Sequence, residues 1–76
     1  MNVDYAVRKP GHTTVKVFNV AGELVRLLVD QDLGQGVQRV LWDGRNRSGN
    51  LVGSGFYLIK IETPSATKTL RVIVRR

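Results

Sequence analysis

Apolar and polar positions alternate along the chain in short runs, and glycine-bearing turns separate the runs. Side chains of a strand leave alternate faces, so a period of two marks a strand with one face buried. In residues 2–7, Val3, Tyr5 and Val7 share such a face. In residues 13–19, Val15 and Val17 point inward while Thr14 and Lys16 point outward. Arg8-Lys9-Pro10-Gly11 reads as the turn between them, because Pro fixes φ and Gly tolerates positive φ. Val20-Ala21-Gly22 forms the next turn.

Residues 23–29 fit two templates. Leu24, Leu27 and Leu28 match a helical stripe, whereas Val25, Leu27 and Val29 match one face of a strand. The run is short, follows Gly22 and lies between strands, so a strand with Val25, Leu27 and Val29 inward is expected. Residues 30–36 read as a polar, Gly-bearing loop. Residues 37–42 form a strand with Gln38, Val40 and Trp42 on one face. Residues 43–50 form a long turn, in which Asp43 accepts backbone hydrogen bonds and Gly44 and Gly49 take positive φ. Gly53-Ser54-Gly55 then precedes a strand over 56–62 with Tyr57, Ile59 and Ile61 on one face. After Thr63-Pro64-Ser65, a last strand over 67–74 turns Leu70, Val72 and Val74 inward, with Lys68 in phase at its start. No internal repeat stands out.

This pattern predicts an all-β fold of six or seven short strands. Twelve valines suit it, since β-branched side chains fit pleated, half-buried surfaces. The connections are too short for parallel crossovers, so the pairing is antiparallel. A two-sheet sandwich or a small barrel follows.

At 76 residues the chain is one domain, 1–76. A domain this small buries only about 60% of its unfolded surface and has no room for a deep catalytic cleft. The absence of cysteine excludes disulfides, thiolate zinc sites and thiol nucleophiles. The single histidine, His12, excludes a two-histidine metal motif, and no cofactor is expected. No run reaches the ~20 apolar residues of a membrane span. Residues 1–10 lack the ~7–15-residue apolar run of a secretory leader, so the chain is either cytoplasmic or part of a longer protein.

A calcium loop starting at Asp43 would place Arg45 and Arg47 at ligand positions, and two cations repel the metal. Gly34, Gly36, Gly53 and Gly55 make no phosphate loop, because no Gly-Lys-Ser/Thr or helix follows them. Asn46-Arg47-Ser48 matches the glycosylation acceptor pattern, which arises often by chance. His12 would be the general base of any triad, but Ser48, Ser54 and Ser65 all lie in turns, and no enzyme is expected.

The net charge of +6 is uneven. Residues 1–38 balance four bases against four acids, and residues 39–76 set eight bases against Asp43 and Glu62. Scattered bases are ordinarily a solvated surface. The alternative is a small basic β-fold that binds nucleic acid through Arg45, Arg47, Lys60 and Lys68. Tyr5, Trp42 and Tyr57 fall on inward faces, which leaves Phe18 and Phe56 as stacking platforms.

The segment Trp42-Asp43-Gly44-Arg45-Asn46, then Gly49, Leu51, and Val52-Gly53-Ser54-Gly55-Phe56-Tyr57, resembles the immunoglobulin-like domain of the flagellar hook-capping protein, the FlgD Ig-like family. The Trp-Asp-Gly and Ser-Gly-x-Tyr elements at this spacing carry the resemblance. Residues 15–26 resemble the family's strand-turn-strand, and residues 68–75 its closing strand. The resemblance implies an Ig or fibronectin-III-like antiparallel β-sandwich. It makes Trp42, Asp43, Gly44, Gly49, Leu51, Ser54, Gly55 and Tyr57 structural residues, with the Tyr57 hydroxyl bonded to an upstream backbone group as in a tyrosine corner. It also implies a non-catalytic C-terminal module of a secreted or cell-surface bacterial protein, like the sorting signals of type IX secretion. The partner would be a secretion or assembly component, or the parent protein's other domains. The Ig-like part of a hook cap is the other role the family implies. The chain ends directly after its last strand, which favours the C-terminal module. An edge strand there would be read by the partner, with Lys68, Arg71, Arg75 and Arg76 making charge contacts.

Overall fold

Alternation sets the first strand: β1 (Asn2–Val7) buries Val3, Tyr5 and Val7 and exposes the residues between them. The computed structural model describes residues 1–75, and Arg76 lies outside them. Five further strands follow: β2 (Gly11–Asn19), β3 (Leu24–Leu33), β4 (Gly36–Leu41), β5 (Gly55–Glu62) and β6 (Thr67–Val74). Six strands therefore form among the described residues, at the lower end of the expected six to seven.

All pairings are antiparallel. β1 pairs with β4 in one sheet, and the second sheet runs β3-β2-β5-β6. The core lies between the sheets. Val3, Tyr5 and Val7 meet Val15, Val17, Ile59 and Ile61, with Trp42 and Val52 added from the segments around the long turn. Each fully buried aliphatic side chain contributes about 1.5–3 kcal/mol. This is an Ig-like β-sandwich. Thr13 is buried among the described residues, and its hydroxyl donates to the Gly11 carbonyl at 3.4 Å.

Two expectations fail on β3. Residues 30–33 are not loop but strand, paired with residues 11–14 of β2. The polar Asp30, Gln31 and Asp32 hide the strand from a hydrophobic pattern, because an edge strand is held by its ladder and needs little burial. The second failure is the inward face. The register shifts at Val15/Lys16 and again at Val17/Phe18, so Leu28 and Val25 are extra residues on β3. A bulge resets which side chains face the core. Val25, Leu28 and Val29 pack on the core, while Leu27 turns outward and is 42% exposed. The helical-looking leucine stripe is the trace of a twice-bulged strand.

Candidate interaction surface

The long turn is anchored by Trp42, which directly follows β4 and is only 1% exposed. Its indole N–H donates to the Arg45 carbonyl at 3.0 Å, and its ring meets Tyr57 edge-on with centroids 5.4 Å apart. The Arg45 N–H donates to the Asp43 carboxylate at 3.1 Å, closing an Asx-turn over Gly44, whose φ is 74°. The Arg45 guanidinium donates to the Gly49 carbonyl at 2.8 Å, so it braces the loop. The Val52 N–H donates to the Gly44 carbonyl at 2.9 Å. That bond sends Val52 into the core, and Leu51 is left exposed. Ser54 lies exposed in the following turn, and Gly55 opens β5.

The Tyr57 hydroxyl donates to the Gly53 carbonyl at 2.8 Å. Tyr57→Phe keeps the ring and deletes this bond, so it is expected to destabilise by about 1 kcal/mol. In a domain this small that lowers Tm by about 4–8 °C. A thermal melt superimposable on the parent's would show that the bond carries no net stability.

Sequence reasoning missed a second organiser of this end. Asn46 accepts from the Ser48 and Asn50 N–H groups at 3.0 and 3.1 Å through its side-chain oxygen. Asn19 accepts from the Ala21 and Glu23 N–H groups at 3.0 Å in the same way. In both loops the glycine three residues on donates back to the asparagine carbonyl at 3.0 Å. Asn19-Val-Ala-Gly22 and Asn46-Arg-Ser-Gly49 are thus one loop built twice. The recurring Asn-x-x-Gly spacing was the available signal. The second loop is tied to β3 by the Arg47 N–H, which donates to the Val25 carbonyl at 3.0 Å, and an open cleft of about 300 Å³ lies beside both loops.

The expected charge contacts do not form one cluster. Lys68 lies at the start of β6 on the core-facing side, beside Tyr5, Ala6 and Arg8. Arg71 lies on the opposite face of the sheet, with its guanidinium 5.5 Å from the centre of the Phe56 ring. Arg75 lies past the far end of β6, near Met1 and Asp43. Arg76 is outside the described residues. The residues considered for nucleic acid are equally dispersed. Arg45 and Arg47 sit in the long turn, Lys60 pairs with Glu62 at 3.8 Å on the outer face, and Lys68 is at the opposite end. Tyr5 and Trp42 are buried in the core, and Tyr57 packs against it.

The two edges of the four-stranded sheet differ. β3 is bulged twice, which spoils its outer edge as a template for another strand. β6 runs in unbroken register along β5 from Thr67 to Val74 and leaves its other edge unpaired among the described residues. Its core-facing side borders a cleft of about 220 Å³ whose walls include Ile61, Ala66 and Lys68.

At the far end of the outer face, the His12 Nε2 lies 2.6 Å from an Asp30 oxygen and Nδ1 3.2 Å from an Asp32 oxygen. Only the imidazolium donates from both nitrogens at once. Hydrogen bonds to Asp32 and then Asp30 raise the His12 pKa above its ordinary 6.5. Because the folded pKa is raised, the contribution to stability is complete below about 6.5 and fades as pH rises through the raised value. The wild-type Tm is therefore expected to fall slightly more between pH 6 and pH 9 than that of His12→Gln. Parallel pH profiles for the two chains would refute the ion triad. A second ion pair fixes the other sheet, where Arg39 grips Asp4 at 2.6 and 3.1 Å and lowers the Asp4 pKa.

Comparison with known proteins places these features in context. The model of the FlgD Ig-like domain family matches residues 1–67. Among solved structures, the chain is similar to PorZ, described as an essential bacterial surface component of the type-IX secretion system of the human oral-microbiomic Porphyromonas gingivalis. The identity is 29% and the TM-score 0.56 over 84% of this chain. The chain spans only 8% of the length of PorZ. No curated protein matches.

Proposed function

We propose a role for this chain that starts from its family: it belongs to the FlgD Ig-like domain family. In this reading it is a non-catalytic module of a longer secreted or cell-surface bacterial protein, and it acts in sorting, anchoring or assembly through protein contacts. The observation that carries the reading is the regular edge of β6, unpaired among the described residues. An extended segment of a partner adds to such an edge by main-chain hydrogen bonds, while flanking pockets select its side chains. The cleft beside Lys68 would supply one such pocket, and Lys68, Arg71 and Arg75 the charge contacts. Likeness to a segment of a type IX secretion component supports a setting at the cell surface.

Fusing the chain to the C-terminus of a periplasm-directed reporter tests this reading in a bacterium that has the type IX system. The reporter is expected at the surface or in the medium, and in the periplasm when that system is disabled. Periplasmic retention in both strains would refute the sorting role.

A further inference from the structure

The outer face of the four-stranded sheet is more apolar than a solvated sheet requires. Phe18 of β2 pairs in register with Leu24 of β3 on one side and Leu58 of β5 on the other. Phe56 pairs with Ile73 of β6, and Leu27 sits one step along β3 opposite Lys16. These six side chains span all four strands. None belongs to the core cluster or packs against it. Phe56 is 49% and Ile73 50% exposed. Scattered exposed hydrophobics need no explanation, but a contiguous strip across a sheet marks an interaction surface.

The charges bordering the strip that lack a carboxylate partner among the described residues have one sign. Lys16 and Lys60 face each other across β2 and β5, and Arg71 stands opposite Leu58 with its guanidinium over the Phe56 ring. Of the acids on this face, Glu62 is held by Lys60, and Asp30 and Asp32 are held by His12. Lys16 and Arg71 have no carboxylate partner among the described residues.

We propose that this face docks a protein surface that is apolar at its centre and carboxylate-bearing at its border. A second copy fits poorly, because the same cations would border both halves of the interface and each chain carries +6. Single-stranded nucleic acid also fits poorly. Four of the six side chains are aliphatic and offer no ring for a base, and the face of Phe56 is already taken by Arg71. The inference rests on the outer-face side chains of all four strands rather than on the main-chain edge of β6, and it stands without the sorting role.

Isotope-labelled chain titrated with a soluble Leu/Glu-rich peptide, and separately with its Leu/Lys counterpart, tests the proposal by amide chemical shifts. Shifts are expected with the Glu peptide only, confined to residues 16–18, 24–27, 56–60 and 69–73. Ile73→Ser should weaken binding by about tenfold, the loss equivalent to part of one buried aliphatic side chain. Arg71→Glu should weaken the Glu peptide and admit the Lys peptide, and the unperturbed core amides of both variants report that they fold. The proposal is overturned by silence with the Glu peptide, by equal response to both peptides, or by shifts confined to β6 without those of β2, β3 and β5. It is also overturned if a thymidine oligonucleotide moves the same amides more strongly, or if the face closes on itself in a concentration-dependent dimer.

Discussion

Trp42→Ala is expected to lower Tm by more than about 10 °C, the largest loss any single substitution in the chain would cause. A domain of 76 residues is stable by roughly 4–11 kcal/mol at the usual 0.05–0.15 kcal/mol per residue. Truncating a fully buried tryptophan costs about 3–5 kcal/mol. Trp42 is the largest fully buried side chain, and it touches both the loop and the sheet. Its removal also strips Tyr57 of its edge-on partner and leaves the Arg45 carbonyl without the indole donor. The long turn and β5 then lose their shared anchor together. Trp42→Phe retains a ring against Tyr57 and is expected to cost less, about 1–3 kcal/mol, leaving a folded chain with a lowered Tm. Circular dichroism is the suitable probe, since Trp42 is the sole tryptophan and the tryptophan fluorescence signal vanishes with it. If Trp42→Ala melted within a few degrees of the parent, the anchoring role would be wrong.

The same residue shows why most of the fold was legible. Trp42, Val40 and Gln38 keep parity, as do Tyr57, Ile59 and Ile61, because both strands run straight with one face on the core. Parity fails only where the ladder gains a residue. Nothing in Leu24-Val25-Arg26-Leu27-Leu28-Val29 announces two bulges, since a bulge is set by how β3 pairs with β2 and not by the side-chain pattern of β3 alone. Polar Asp30, Gln31 and Asp32 concealed the rest of β3 for a related reason. An edge strand can hold its place by backbone bonds and by contacts such as Asp30 and Asp32 with His12, which no periodicity records.

The candidate surfaces were less legible than the core. Single residues such as Phe18, Phe56 and Arg71 could be named from sequence, but their assembly on one face depends on strand order. β2 is followed in sequence by β3 yet also pairs with β5, which brings Phe18 beside Leu58 across a gap of forty residues in the chain. Lys68 and Arg71 share β6 and lie three positions apart, and parity within that strand separates them. Odd spacing in a strand sends two side chains to opposite faces.

Gly11→Ala is expected to destabilise the chain by about 2–4 kcal/mol, the combined effect of backbone strain and overpacking. Gly11 opens β2 with φ at 151°, where an L-residue is strained even in open space. The space is not open. A Cβ at Gly11 would lie 2.6 Å from the Pro64 Cγ and 3.6 Å from its Cβ. The proline ring cannot rotate away, and the turn that carries it is closed by the Thr63 N–H donating to the Ala66 carbonyl at 2.8 Å. Two turns far apart in sequence are thus packed against each other through a missing side chain. Pro64→Ala removes the Cγ and leaves the strained φ. The double variant Gly11→Ala/Pro64→Ala should therefore recover roughly half of the loss, a positive coupling within the 0.5–3 kcal/mol seen for residues in contact. Denaturant titrations of the two single variants and the double variant measure it. Strict additivity would assign the whole effect to φ and remove the contact between the two turns from the account.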